Sequence, residues 1–452
     1  MNRTELFETA PISKAVTTLA VPTMLGMLVT VIYNMADTFF IGRTGDSNQV
    51  AAVSVALPVF LLLMAVGNIF GIGGGSYISR LLGRREERKV KETSSFCFYA
   101  CIAMGFLSMF LFLVFMDPIL SVIGTSANTY DFTRTYLVVI AFGAPFVCLQ
   151  SALGQIVRSE GASKQAMIGM MIGTVVNIIL DPIMILSMEM GVAGAAWATI
   201  IGNACSVVYY LWYFFRCDTS LSVDPRDFSM KDGIFRNVLA IGIPVSINNM
   251  LMSLANIVLN RYAVQYGDSV VAAFGVVNKI VMIDVMLLLG LSQGVQPFIG
   301  YNYAAKNYKR MNGSISFSIK VSIVMGMLFT VLAFAFGPTM IGIFIDDPVV
   351  IGIGTRILQA TLCIAPLLGL QFIFMNAFQA FGMAGYSLIL SLCRQGLAFF
   401  PAVIIGNLLF GLNGIVWAQP IADVASITIA SLLYLRTYRK LKKQSSVVPV
   451  TA

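Results

Sequence analysis

Twelve apolar segments, each long enough to cross a bilayer as a helix of about 20 residues, run through this chain of 452 residues. They fall at 15–41, 50–78, 93–116, 132–156, 166–188 and 192–215, then at 236–263, 269–300, 313–336, 352–377, 386–409 and 413–435. Backbone N–H and C=O groups find no water in lipid, so a spanning segment is a helix or a strand of a closed barrel. These runs show no barrel-type alternation. Composition closes the soluble route. Only 11% of the residues are charged and 58% are hydrophobic, against roughly 25% charged in soluble domains. The expected fold is all-α and integral to the membrane, which excludes soluble enzymes and nucleic-acid-binding proteins. A net charge of +8 is then read as basic loops rather than a nucleic-acid footprint.

Those basic residues set the orientation. Of 29, 22 fall on the side of the N-terminus, including Arg80, Arg84, Arg85 and Arg88 and the tail run Arg439, Lys440, Lys442 and Lys443. Four (Arg43, Arg134, Arg261 and Arg356) fall on the other side, and three (Lys279, Lys320 and Arg394) lie inside spans. This bias predicts that both termini are cytoplasmic. No cleavable signal peptide is expected, because the first apolar run is too long for an h-region and contains Pro22 and Asp37.

The polar stretch 216–235 divides the chain into a six-span lobe at 1–215 and another at 236–436, with a basic cytoplasmic tail at 437–452. The lobes match at a shift of 220–222. Pro22 falls on Pro244, Gly45 on Gly267, Pro118 on Pro338, Arg134 on Arg356, Pro145 on Pro366, Gln150 on Gln371, Gly161 on Gly382 and Gly191 on Gly411. With six spans each, the two bundles share one membrane orientation and are related by a pseudo-symmetry axis along the normal. That is a transporter arrangement, with the substrate path between the halves near the midplane.

Four of the 21 acids lie well inside spans: Asp37, Asp181, Asp284 and Asp423. A central carboxylate costs about 3 kcal/mol, so each needs a partner or a function. Asn34 precedes Asp37 by three residues and Asn177 precedes Asp181 by four, each on the acid's own helix face. Pro182 removes a helix donor and leaves a carbonyl for a cation or water. Asp37 and Asp181 are therefore read as functional. Asp284 is explained equally by a structural ion pair with Lys279, Lys320 or Arg394 and by a substrate role; Asp423 reads as a helix–helix hydrogen bond. The second lobe offers amides instead, among them Asn256 and Gln293, which suit a cavity solvating varied ligands or interhelical bonding. Asn34, Gln150, Asn256, Asp284 and Gln293 are the candidate cavity residues. With no His and no paired cysteine spacing, zinc and haem are not expected. There is no phosphate-loop motif and no nucleophile–base pair, so neither an ATP-driven pump nor an enzyme is expected, and no cofactor.

Three stretches carry a family resemblance: Met35-Ala-Asp37-Thr-Phe-Phe-Ile-Gly42, Asn177-Ile-Ile-Leu-Asp181-Pro182, and Gln293-Gly-Val-Gln296-Pro297 running on to Asn302. With the six-plus-six duplication, the chain resembles the bacterial branch of the multidrug and toxic-compound extrusion (MATE) family over residues 10–436. The resemblance implies two six-helix lobes around a V-shaped cavity and export of small organic cations driven by inward H⁺ or Na⁺. It also implies a bacterial plasma-membrane protein, monomeric, with lipid as its other partner. In relatives a cluster in the first lobe binds the coupling ion, and it maps here to Asp37, Asn177, Asp181 and Thr199, which would also be the Na⁺ ligands. Pro22 matches a proline proposed to let the first helix bend. Acids that some relatives use in spans seven and ten are missing here, which points to protons or a first-lobe cation. The alternative is a flippase for lipid-linked sugars, which would favour basic cavity residues. Energetically, one H⁺ for one monovalent cation draws only on the pH gradient, about 1.4 kcal/mol per unit. A second H⁺ would add roughly 2.3 kcal/mol per 100 mV.

Overall fold

The computed structural model describes residues 5–447, apart from the side chains of Asn34, Asp37, Thr38 and Ser47 and those from Lys443 on. The first repeat comprises α1 (Ile12–Gly42), α2 (Ser47–Gly83), α3 (Glu87–Val114), α4 (Met116–Ile123), α5 (Tyr130–Ser159), α6 (Ser163–Asp181) and α7 (Gly191–Arg216). The second comprises α8 (Ile234–Ala263), α9 (Asp268–Ala304), α10 (Tyr308–Gly342), α11 (Pro348–Leu362), α12 (Ala365–Phe381), α13 (Ala384–Leu392), α14 (Phe399–Phe410) and α15 (Leu412–Val447). Eleven helical segments are long and apolar enough to cross a membrane, and α11 with α12, bent by 49°, makes a twelfth. All twelve expected spans are present. The helices overrun the apolar runs by several residues; α15 in particular carries on through the start of the basic tail.

The duplication is written into the backbone. Gly45, Gly161 and Gly191 have φ of +75°, +90° and +54°, and their repeat partners Gly267, Gly382 and Gly411 have +101°, +78° and +58°. Left-handed φ is open to glycine at no steric cost, so the same turns recur. Arg85 (φ 61°) and Lys306 (φ 58°) repeat the pattern without glycine. Phe115 breaks helical geometry ahead of Pro118, and Phe336 does so ahead of Pro338. Pro145 packs under Gly105 as Pro366 packs under Gly326. One difference breaks the match. The chain stays helical through Pro145 but opens between α11 and α12 ahead of Pro366. A carbonyl freed there needs a partner in lipid, and the Thr330 hydroxyl donates to Leu362 O at 2.6 Å.

Packing groups the chain differently from the repeat. One compact unit is Leu25–Ser246; the other joins the residues before Leu25 to those after Ser246. The boundaries thus fall inside α1 and α8, two residues after Pro22 and two after Pro244. Glycines explain the grouping. A Cβ at Gly290 of α9 would lie 2.6 Å from Met24 Cα, and one at Gly294 would lie 2.7 Å from Ala20 Cα. The start of α1 therefore packs backbone to backbone on α9. In the other unit a Cβ at Gly73 of α2 would lie 2.2 Å from Val238 O, and one at Gly242 would lie 2.1 Å from Ile69 O. The start of α8 thus packs on α2 in the same way.

The polar stretch between the repeats is held to the Leu25–Ser246 unit. Ser95 Oγ and the Tyr99 hydroxyl of α3 donate to Asp224 O at 2.8 Å and Val223 O at 2.9 Å, and the Ser222 backbone N–H donates to Ser94 Oγ at 2.8 Å. The buried Glu160 carboxylate accepts from the Tyr213 and Thr219 hydroxyls and the Ser220 N–H.

Candidate ion-coupling site

Within the Leu25–Ser246 unit, α6 and α7 cross where Gly173 meets Gly202. A Cβ at Gly202 would lie 2.6 Å from Gly173 O, and one at Gly173 would lie 2.1 Å from Ser206 Oγ. Asn177, one turn beyond Gly173, and Thr199, one turn before Gly202, are brought level by this crossing. Asp181 follows one turn further along α6. All three are buried, Asp181 completely. Helix α6 ends at Asp181 and continues as a π-helical turn over Pro182–Ser187. The missing Pro182 N–H breaks the i→i−4 ladder, and π-turns gather at functional sites. Gly194 lets α7 start against this turn, since a Cβ there would lie 2.7 Å from Met184 O.

Hydrogen bonds knit the three side chains together. In one orientation of its amide, Asn177 Nδ2 donates to Asp181 Oδ1 and Thr199 Oγ1, both at 3.4 Å. Turned over, Nδ2 donates to Asp181 Oδ2 at 3.2 Å and Oδ1 accepts the Thr199 backbone N–H at 3.1 Å. The second orientation matches every donor to an acceptor. The Tyr33 hydroxyl of α1 lies 3.3 Å from Thr199 Oγ1. The carboxylate and the two hydroxyls are hard oxygen donors, which the Asn177 amide holds in place. They suit a proton or an alkali cation and not a soft transition metal. Among the described residues no group of three or more His, Cys, Asp or Glu could hold a metal ion.

Of the residues expected from sequence, Asn177, Asp181 and Thr199 come together, while the Asn34 and Asp37 side chains lie outside the described residues. Gln150 stands half-buried on α5 in the same unit, with no hydrogen bond to this cluster among the described residues. Asn256, Asp284 and Gln293 belong to the other unit. Asn256 is exposed and turns its amide back to Met252 O at 3.0 Å. Pro22 sits inside α1 two residues before the packing boundary. Tyr33 was not singled out from sequence. Its signal was available, since it precedes Asp37 by four residues and so shares that acid's helix face.

Asp423 makes the expected helix–helix hydrogen bond, and the bond is charged: Arg394 Nε donates to its Oδ1 at 2.7 Å, while Gln419 Nε2 of its own helix donates to the same oxygen at 2.9 Å. Arg394 is therefore not the partner of Asp284, and Lys279 and Lys320 are exposed. The guanidinium also lies 5.1 Å from the Phe372 ring centre. Several second-lobe amides serve as interhelical bonds, such as Gln296 to Gln379 at 3.2 Å and Asn376 to Ser292 at 3.1 Å.

Gly202→Val is expected to force α6 and α7 apart. Overpacking of this kind costs about 1–3 kcal/mol, and here the clash is with backbone that cannot rotate away. The melting temperature in detergent should fall, and gradient-driven transport should fall further because Thr199 moves from Asn177. Gly275→Ala, where a Cβ meets nothing within 4 Å, is the control and should change neither.

Comparison with known proteins agrees with this architecture. The MatE family model matches residues 22–183 and again 244–404, one match per repeat. Multidrug export protein MepA of Staphylococcus aureus (strain N315) is 36% identical over 427 residues, 94% of each chain. The MepA of Staphylococcus saprophyticus is 35% identical over the same length and coverage. A multidrug resistance MATE family transporter of the MOP superfamily, solved in its outward-facing conformation, aligns at a TM-score of 0.93 and 25% identity, covering 98% of this chain and 99% of that one. With both repeats matched and 94% of the chain shared with the MepA relatives, the chain belongs to the MatE family, the multidrug and toxic-compound extrusion family that its span-one and span-five motifs resemble.

Proposed function

We propose that this protein exports organic cations from the bacterial cytoplasm in exchange for H⁺ or Na⁺ by alternating access, as a single chain with both termini inside. The observation that carries the reading is Asp181, fully buried in a span and bonded to Asn177 beside Thr199 and Tyr33. A buried carboxylate attracts a cation or a proton far more strongly than one in water. Asn177, Thr199 and Tyr33 around it are all uncharged. Occupation by H⁺ or Na⁺ removes the negative charge, which lowers the attraction for an organic cation, and loss of the ion restores it. Exchange follows from that competition. The export of multiple drugs by the MepA relatives supports an amphipathic organic cation as cargo.

Reconstituted protein should expel ethidium from vesicles when a pH gradient or a Na⁺ gradient is imposed alone, with the ion entering as the dye leaves. Failure of both gradients, or transport of a lipid-linked pyrophosphate sugar in place of ethidium, would overturn the proposal.

A further inference from the structure

Asp284 of α9 is fully buried, and neither carboxylate oxygen has a hydrogen-bond partner among the described residues. Its position follows from the register of α9 with α12. Leu288 meets Gly369, Ser292 meets Asn376 and Gln296 meets Gln379, so the two helices run parallel at an offset of 81–84 residues. Asp284 is thus level with the first turn of α12, at Pro366, where the 49° break follows α11. One turn further on, Leu288 packs with Leu368 and Phe372.

The fold has no need of an acid here. The contact of Leu288 with Gly369 repeats that of Gly67 with Cys148 at a shift of 221. The same shift places Asp284 on Leu63, which is also fully buried. One repeat fills the position with an aliphatic side chain and the other with a carboxyl group.

Among the described residues no basic residue compensates for it. Helix α12 carries no charged residue. Lys320 of α10, Arg356 of α11 and Lys279 of α9 itself are exposed. Lys309 and Arg310 lie at the start of α10, about four turns from Gly326, the residue that packs on Pro366, and Arg310 bonds Phe7 O and Ala10 O. Cys363 at the break donates to Ala360 O, and Tyr266 donates to Asn407 Oδ1. Glu8 meets Tyr301 at the far end of α9, Lys14 opens α1, and Arg394 is paired with Asp423. An ionised carboxylate with no counter-ion and no hydrogen bond is the costliest state such a pocket can hold.

We propose that Asp284 is a second proton-carrying site, held in the unit that lacks the Asp181 cluster. It takes a proton from water while its pocket is open to the exterior, is buried as the neutral acid, and releases the proton to water on the inner side. The inference rests on the proposed coupled exchange and sets its stoichiometry. Two protons enter while one monovalent cation leaves, so one net positive charge moves inward per cycle. The membrane potential then drives export directly.

The test uses the full chain in proteoliposomes loaded with ethidium, at equal pH and without Na⁺, with an interior-negative potassium diffusion potential set by valinomycin. Passive leak draws ethidium inward under this potential, so outward movement reports electrogenic exchange. The native protein should expel ethidium. Asp284→Asn and Asp284→Leu should lose that response entirely yet keep exchange driven by a pH gradient. Should either variant fail to fold, infrared difference spectra of the other and of the native protein still assign the protonated carboxyl band. Absence of native exchange under any pH or Na⁺ gradient defeats the coupling reading itself. Native exchange with no outward response to potential, or a response surviving in both variants, overturns the role of Asp284 alone.

Discussion

Asp181→Asn should reduce gradient-driven ethidium efflux to the rate of protein-free vesicles while leaving the fold intact. The reason is local. Asp181 is completely buried and receives the Asn177 amide, with Thr199 and Tyr33 completing the cluster. An amide in its place occupies the same volume and still accepts a hydrogen bond from Asn177 Nδ2, so packing and melting temperature should hold. What disappears is the charge, and with it any exchange of a proton or Na⁺ against an organic cation. Asp37→Asn is expected to behave likewise, because Asp37 shares a helix face with Tyr33. Thr199→Val removes only a neutral ligand, so weakened efflux rather than none is expected. The measurement pairs efflux under an imposed gradient with size-exclusion and thermal unfolding of each variant. Near-normal efflux from Asp181→Asn and Asp37→Asn would remove ion coupling from this cluster.

Arg394→Leu should destabilise the protein by about 3–5 kcal/mol, the usual cost of stranding one member of a buried ion pair. Asp423 is 2% exposed, and after that change Gln419 is its one remaining donor among the described residues. Asp423→Leu should cost a similar amount, softened by the Phe372 ring under the guanidinium. The decisive measurement is the double variant. Apolar side chains in place of a buried pair are often neutral or stabilising, so Arg394→Leu with Asp423→Leu should recover most of the loss seen in either single change. Thermal unfolding in one detergent for all four proteins completes the cycle. Additive losses in the double variant would show that the two side chains contribute separately.

Much of this architecture is readable in the amino-acid order, and the parts that are not share a cause. Span positions follow from apolar run length because lipid enforces it. The duplication follows from glycines and prolines, whose backbone roles tolerate few substitutes, and Gly45, Gly161 and Gly191 recur in the second repeat for that reason. The pairing of Asn177 with Asp181 was legible because an i, i+4 relation is local. Thr199 came only through resemblance, since 22 residues of chain separate it from Asn177 and no local rule brings them together. The pairing of Arg394 with Asp423 was missed because three cations and two acids allow several matches, and three-dimensional packing alone selects one. Likewise the break before Pro366 could not be told from the unbroken helix through Pro145. Both prolines sit under a glycine of the neighbouring helix, and only the rest of the helix decides.

The first thirteen residues of α1 pack in the unit made largely of the second repeat, and those of α8 pack in the unit made largely of the first. The two repeats thus trade the leading portion of their first helix, as copies of a protein do in a domain-swapped dimer. A single six-span repeat folded this way lacks the leading turns that complete its own bundle, and only a second copy supplies them. Joining both copies in one chain holds those partners together at a fixed ratio. The two copies can then differ position by position, with Asp284 in one where Leu63 fills the other.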